Sequence, residues 1–460
     1  MPAEKLTEKC GVFASYHDEE AARTTSFGLF QLQHRGYDST GIASTDGKEI
    51  YLLRHPGLVA QVYNDENIKT LKGDMAVGHN RYGTSGNKDG HLQPAHGGNQ
   101  VVLAHNGNIS NPRKLENFLE EVGIERSGLN DSEMMARSIG YFRDRGASLA
   151  ESVRDSWHLF DGSFSAVAMD KSSLVAFRDE HGIRPLSLGR LNGGWVVSSE
   201  TCAYGAIDAD FFKQVDPGEL VEFSSKGVMF HEVREKKPRS DVFELIYFAR
   251  PDSIIDGQIV YQVRKNLGEK LFEEEDITAD IVIPVPNSAE PSAIGYSQRS
   301  GVLYEKGLTK NQAIDRSFIK PTQRQRERQV NLKLNGTPGV LEGQKVVVID
   351  DSIVRGTTAP RIVELLRRAG ASEVHFRVAS APVKYPNFYG IDTASQDQLR
   401  ASYMSTEEIR QYCGADSLRY LSYEGMIEAV GIPEQFLCTS DFTGDYPIDI
   451  GERRKELVYS

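Results

Sequence analysis

Cysteine is scarce in this chain: four in 460 residues, at positions 10, 202, 413 and 438, with no Cys-x-x-Cys pair among them. That spacing argues against a zinc site or a disulfide framework as the basis of the fold. No apolar run approaches the roughly 20 residues that a membrane-spanning helix needs. Residues 1–9 are polar and charge-rich, without the apolar centre of a secretory signal. Positive charge is also in deficit, 53 Lys and Arg against 65 Asp and Glu for a formal net charge of -12. A balance of that sign argues against a nucleic-acid scaffold. What is present is a length suited to two or three domains, with ample apolar residues for their cores, expected in the cytoplasm.

The most informative stretch is Val-Val-Val-Ile-Asp-Asp-Ser-Ile-Val-Arg-Gly-Thr-Thr at 346–358. Four consecutive β-branched residues predict a strand buried on both faces, as in a parallel sheet. Asp350 and Asp351 then stand at its C-terminal end, where open α/β sheets bind ligands. Ser352, Ile353, Val354, Arg355, Gly356, Thr357 and Thr358 follow as a short loop. A helix comes next, with apolar spacing at Ile362, Leu365, Leu366 and Ala369, Pro360 near its start and Gly370 as its C-cap. Such a loop can offer backbone N–H groups and a helix dipole to a phosphate, and its carboxylates to ribose hydroxyls or Mg²⁺. The run resembles the signature of type I phosphoribosyltransferases, which bind phosphoribosyl pyrophosphate (PRPP). In its wording it is similar to the amidophosphoribosyltransferase family.

A second constellation lies near the amino terminus. Cys10 opens Cys-Gly-Val-Phe-Ala and is followed in order by His34-Arg35-Gly36-Tyr37-Asp38-Ser39-Thr40-Gly41, Gly78-His79-Asn80-Arg81-Tyr82-Gly83-Thr84-Ser85-Gly86 and Ala104-His105-Asn106-Gly107-Asn108. Taken singly, a cysteine before an apolar run is a small core residue and each of the others is a turn. Together they resemble the N-terminal-nucleophile glutamine amidotransferase domain. The resemblance implies that Cys10 attacks the glutamine amide to form a glutamyl thioester and release ammonia. It implies an oxyanion hole made by Asn106 and the backbone N–H of Gly107. Arg81 would take the glutamine α-carboxylate, Asp131 its α-ammonium, and Arg35 would order the surrounding loop. Asp131 reads equally as a helix N-cap, since Met134, Met135 and Ile139 begin a helical pattern after it. In this family the base is the α-amine of a first-residue cysteine, with a reference pKa of ~8. Residues 1–9 are therefore expected to be a leader removed between Lys9 and Cys10.

Asp161-Gly162-Ser163-Phe164-Ser165, Arg178-Asp179-Glu180-His181-Gly182-Ile183-Arg184-Pro185-Leu186 and Ser198-Ser199-Glu200-Thr201-Cys202-Ala203 extend the resemblance, read as strands and turns of a sandwich, with Cys202 structural. Residues 230–240, charged and containing a proline, form the best boundary. The expected organisation is a leader at 1–9, a glutamine amidotransferase domain at 10–235 and a phosphoribosyltransferase domain with a C-terminal extension at 236–460. The expected fold is an α+β N-terminal-nucleophile sandwich (αββα), then an α/β type I phosphoribosyltransferase domain with a mainly parallel sheet.

In the second half, Ser288 follows an apolar strand ending in Ile281-Val282-Ile283-Pro284, and the resemblance gives it a share of Mg²⁺ with Asp350 and Asp351. Relatives commonly carry aspartate where this chain has Asn287. The basic stretch from Lys310 to Lys333 matches the family's loop over PRPP, with Lys333 among the expected PRPP contacts and Ala313-Ile314-Asp315 departing from the usual Tyr-Val-Gly. One branch of the family holds an iron–sulfur cluster on four cysteines. The equivalent positions here are Asp241, Asn387, Cys438 and Asp441, which leave one thiolate, so no cluster is expected. These polar residues are expected to form a hydrogen-bonded patch, with a hard cation as the alternative.

Joined, the two halves imply that PRPP, glutamine and water give 5-phosphoribosylamine, glutamate and pyrophosphate, the first step of purine synthesis. The resemblance further implies purine-nucleotide feedback and a homo-oligomer, a tetramer or dimer. Other readings are a dormant form with its leader uncut, a different N-terminal-nucleophile amidotransferase, and a PRPP-sensing regulator.

Overall fold

A computed structural model describes residues 7–8, 10–81, 91–98, 100–275, 277–310, 334–392 and 395–458. Lys333, Ala313, Ile314 and Asp315, most of the basic stretch, and Tyr82 to Gly86 of the third motif lie outside the described residues.

Two antiparallel sheets fill the first half. The seven-stranded sheet is ordered Asp210–Gln214, Ser187–Leu191, Gly194–Ser198, Cys10–Tyr16, Met75–Arg81, Ser39–Thr45 and Ile50–Pro56. The six-stranded sheet runs Gly227–Glu232, Glu219–Ser224, Leu174–Arg178, Asp161–Met169, Val101–Asn111 and Ala95–Gly97. Strand alternation divides the apolar residues between layers. Val12 and Ala14 join Val77, Val102, Ala104 and Val167 in the core between the sheets. Phe13, one residue out of step, turns the other way to pack with Leu29 on the helix Ala21–Gln31. On the far face, Val101 and Leu103 meet Met135, Ile139 and Val153 from the helices Asp131–Arg143 and Leu149–Ser156. The result is the helix–sheet–sheet–helix sandwich expected from the resemblance.

In the second half, five strands form one sheet in the order Leu303–Tyr304, Ile281–Pro284, Lys345–Asp350, Glu373–Val378 and Ser417–Tyr420, every pairing parallel. Val346 and Val348 enter one core with Ile362 and Leu366, while Val347 and Ile349 enter the other with Leu267 and Tyr296. This burial on both faces is why the run lacks polar alternation. The helix Thr358–Arg368 follows the acidic loop, and Gly370 takes the left-handed backbone beyond it at φ +99°.

Thr7–Glu8 pairs antiparallel with Ile391–Asp392 of the second half. Backbone pairing needs no side-chain pattern, so a polar stretch can make it.

Candidate active site

Cys10 is buried at the head of its strand and faces Arg81 in register on the neighbouring strand. By the two-residue period, Cys10 shares the inter-sheet side with Val12 and Ala14, and Asn106 shares it with Val102 and Ala104. The sheets are tied together beside them, where His79 Nε2 lies 3.1 Å from the His105 carbonyl oxygen. Burial lowers the His79 pKa to about 3, so the ring is neutral and donates there. Asn106 has no exposed surface, and neither its amide nitrogen nor its oxygen has a partner among the described residues. An unpaired buried amide is costly unless something binds to it. Gly107 adopts φ +148°, and a Cβ there would come within 2.1 Å of the Ser163 carbonyl oxygen.

Asp131 is the first residue of its helix, and the N-cap is Asn130, a correction to the capping alternative. Asn130 Oδ1 accepts from Glu133 N at 2.9 Å, and Glu133 Oε2 accepts from Asn130 N at 2.9 Å. Asp131 Oδ2 instead accepts from Ile109 N at 3.3 Å, which ties the helix start to the strand of Asn106. His105, also buried and kept neutral by burial, lies 3.1 Å from Ser132 Oγ through Nδ1.

Arg35 is fully buried, and its Nε donates to the Cys10 carbonyl oxygen at 3.1 Å. Two carboxylates receive the rest of its guanidinium. Glu200 is bound by Nη1, and Glu244, from the second half, is bound in a fork at 3.2 and 2.8 Å. Glu200 in turn accepts from Ser253 Oγ at 2.7 Å and from Arg250 N at 2.8 Å, both of the second half, and lies 2.6 Å from His34 Nε2. Burial alone would raise the Glu200 pKa, but His34 and Arg35 outweigh it and hold the carboxyl well below its usual range. The two halves thus exchange carboxylates across their boundary. The second half also covers the oxyanion-hole candidates: Asn108 Nδ2 donates to Phe388 O at 2.8 Å, Ser163 Oγ donates to Tyr389 O at 2.7 Å, and Gly390 approaches the Gly107 backbone so closely that a Cβ there would come within 3.0 Å of its Cα. Sequence reasoning missed Glu200 and Glu244 as parts of this site. The signal available was charge alone: acids in otherwise apolar or turn-forming runs.

The acidic loop assembles at the C-terminal end of the parallel sheet. Asp350 and Asp351 are buried, and Ser288 Oγ from the adjoining strand–loop donates to the Asp351 carboxylate. Ser352 Oγ donates to the same carboxylate at 2.8 Å. Ile353 and Val354 are buried in the two cores flanking the sheet, so their backbone alone faces the loop. Arg400 Nε donates to Arg355 O at 3.1 Å, and Gly356 takes φ +69°. Thr357 stands at the N-cap of the helix Thr358–Arg368, with a buried hydroxyl that has no partner among the described residues. Ser288, Asp350 and Asp351 are brought together; Asn287 beside them is exposed.

Asp241, Asn387, Cys438 and Asp441 also meet. Asn387 Nδ2 donates to Asp441 Oδ2 at 3.0 Å and reaches Asp241 Oδ2 at 3.5 Å, while the Cys438 Sγ is 3.4 Å from Ser440 Oγ. No group of three or more His, Cys, Asp or Glu suited to a metal occurs among the described residues.

Residues 79–205 match the glutamine amidotransferase domain family, and residues 252–384 match the phosphoribosyl transferase domain family. The amidophosphoribosyltransferase of Synechocystis is 43% identical, with 99% of this chain and 94% of that protein covered. The chain belongs to the amidophosphoribosyltransferase family. The amidophosphoribosyltransferase of Bacillus subtilis is 40% identical over 97% of this chain and 95% of that protein. A solved structure of the B. subtilis glutamine PRPP amidotransferase, complexed with ADP and GMP, superposes with a TM-score of 0.90 at 40% identity, covering 96% of this chain and 98% of that one. A structure described as the allosteric regulatory enzyme of purine biosynthesis matches with the same TM-score of 0.90. Amidophosphoribosyltransferases are glutamine amidotransferases and pentosyltransferases that catalyse the first step of purine biosynthesis, and this chain is an enzyme of that class.

Proposed function

We propose that residues 10–235 release ammonia from glutamine and that residues 236–460 transfer it to C1 of PRPP, giving 5-phosphoribosylamine, glutamate and pyrophosphate. The observation that carries this reading is the buried Asn106 amide beside Gly107, without a partner among the described residues and on the side of its sheet that faces the Cys10 strand. Donors aimed at a developing oxyanion are worth about 10²–10³ in rate each. Removal of residues 1–9 between Lys9 and Cys10 would convert the Cys10 amide into an α-amine able to accept the thiol proton. Arg81 then takes the glutamine α-carboxylate, Asp131 its α-ammonium, and Arg35 holds the Cys10 backbone.

Asp350 and Asp351 bind the ribose hydroxyls, and Ser352 to Thr358 cradle the 5′-phosphate at the helix start, where Thr357 supplies a buried hydroxyl with no partner among the described residues. Lys333, outside the described residues, would add positive charge toward the pyrophosphate. Ser288, Asp350 and Asp351 form a hard-oxygen donor set that suits Mg²⁺. That ion would neutralise charge on the pyrophosphate as it leaves. The patch of Asp241, Asn387, Cys438 and Asp441 has one soft ligand and does not suit an iron–sulfur cluster. Ammonia carried between the sites without meeting solvent stays uncharged and nucleophilic. Purine nucleotides are the expected feedback inhibitors, in keeping with the ADP and GMP in the B. subtilis structure. Exposed Phe27 and Phe30 on one helix favour a homo-oligomer. No described helix is long and apolar enough to cross a membrane, and the working compartment is taken as the cytoplasm.

A second reading, a dormant precursor, is favoured by the pairing of Thr7–Glu8 with Ile391–Asp392, next to the Gly390 that overlies Gly107. Intact mass separates the two, because it reports whether Cys10 is the first residue. In the processed enzyme, Cys10→Ala is expected to abolish pyrophosphate release with glutamine and to leave release with ammonia at high pH. Loss of both would overturn the assignment of separate sites.

A further inference from the structure

The reaction proposed above leaves Glu244 without a task, although it is buried and lies in the second half of the chain. Its carboxylate receives the Arg35 fork at 3.2 and 2.8 Å and Arg184 Nη2 at 2.6 Å. Arg35 spends its remaining Nε on the Cys10 carbonyl oxygen. A bridge of two hydrogen-bonded steps therefore runs from a second-half carboxylate to the backbone of the nucleophile.

We infer that Glu244 is a positioning residue of the glutaminase, acting through Arg35 to fix the backbone at Cys10. The inference rests on the glutamine reaction proposed for Cys10.

Glu244 is itself held in place. It begins the wide helical turn Glu244–Phe248, and Phe243 just before it stacks on Phe442 with ring centroids 5.2 Å apart. Leu245 and Ile246 from the same turn pack in the core that holds Val347, Ile349 and Val354. Those three belong to the strand and loop of the PRPP site. The carboxylate is thus mounted on the packing that shapes one site while its charge orders the other. An arginine with one planar fork is suited to this bridging, because its donors leave in fixed directions.

A carboxylate that only balanced buried charge would behave differently. Its loss would lower the amount of folded enzyme, and every activity with it. A positioning role falls on the glutamine reaction, since misplacing a reacting group by about 1 Å costs on the order of 10²-fold.

The test uses Glu244→Gln and Glu244→Asp in chains expressed with Cys10 directly after the initiating methionine. Glutamine-supported and ammonia-supported pyrophosphate release are measured, with the rate at which an electrophilic glutamine analogue labels Cys10. Glu244→Gln is expected to lower the glutamine-supported kcat/KM about 100-fold and Glu244→Asp about tenfold. Labelling should fall in step, while ammonia-supported release stays within about twofold. Should Glu244→Gln not fold, Glu244→Asp keeps the charge and decides the matter by the same ratio. Glutamine- and ammonia-supported rates falling in parallel, or a glutamine-supported rate unchanged within about twofold, would overturn the inference. The wild type measured alongside separates the two claims. A folded wild type inactive with either nitrogen donor sinks the assigned reaction, whereas an active wild type with unchanged donor ratios in the variants sinks Glu244 alone.

Discussion

The candidate glutamine site draws on Cys10, Arg35, Arg81, Asn106 and Asp131 from the first half and on Glu244 and residues 388–390 from the second. The candidate PRPP site takes Asp350, Asp351 and the loop through Thr358 from one strand–loop–helix passage, with Ser288 added from the neighbouring strand. One site is gathered by long-range buried charge and the other is supplied by a contiguous run. The distributed site depends on the domain boundary being closed. The contiguous one depends on its own strand and helix. Damage at the boundary should therefore reach glutamine chemistry first, and damage in the acidic loop should stop both nitrogen donors.

Asp351→Ala tests the contiguous side and carries the largest expected effect. Pyrophosphate release should fall by at least about 10²–10³ with glutamine and with ammonia alike, the range for losing one preorganised electrostatic group. Asp351 receives Ser288 and Ser352 hydroxyls, and its removal leaves the strand Lys345–Asp350 packed on both faces, so far-UV circular dichroism should be unchanged. Selective loss of the glutamine reaction would break the comparison, since it would make the acidic loop part of the distributed site.

Gly390→Ala probes the other side with a smaller change. Gly390 has φ +109°, and a Cβ there would come within 3.0 Å of the Gly107 Cα. An alanine must therefore both strain its own backbone, at about 1–3 kcal/mol, and press on Gly107, whose N–H is the proposed oxyanion donor. Glutamine-supported release is expected to drop about tenfold while ammonia-supported release holds, a difference read directly from parallel assays. Equal drops would show that residues 388–390 support the whole fold rather than the glutamine site.

The same contrast decides what could be read before the fold was known. Val346 to Thr358 announces itself, because burial on both faces, paired acids and a Gly/Thr loop are all local. The sandwich was expected through resemblance, and the structure supplies its physical reason, the alternation that sends Val12 and Ala14 inward and Phe13 outward. Cys10, Asn106 and Asp131 were located only through resemblance, since nothing in their local runs says that they meet. Arg184 and Glu200 lay in stretches read as turns, and Glu244 at the start of an apolar run. Their partners are up to 209 residues away, and no period or cap encodes such a pairing. Asn130 rather than Asp131 caps its helix because the Asn130–Glu133 box satisfies both orphan amides there. Asp131 is left to bind Ile109.

The smallest expected effect lies in the polar patch where the halves also touch. Burial pushes the Asp241 carboxyl up to about 6, opposed by Arg184, whose Nη1 is 3.2 Å away. Asp441 is raised well above the usual carboxylate range by burial and then by the Asp241 charge. Both folded-state values exceed the unfolded ones, so the folded chain binds more protons in the range between. The stability contributed by those protons is fully present below about pH 4, where unfolded aspartates titrate, and is lost as the pH rises through the folded values. Asp441→Asn keeps the shape and an acceptor for Asn387 but has no proton to lose. Relative to wild type, its unfolding free energy should therefore improve from about pH 5 to about pH 8. Each pH unit separating folded and unfolded pKa is worth about 1.4 kcal/mol, so the gain should grow steadily with pH in urea titrations of the two proteins. Activity with ammonia should not change across the pair, because the patch touches neither the acidic loop nor the Cys10 thiol. A stability difference that stays flat over that range would mean the carboxyl ionises without penalty. Its burial between Asn387 and Asp241 would then cost the fold nothing, contrary to what so dry a site requires.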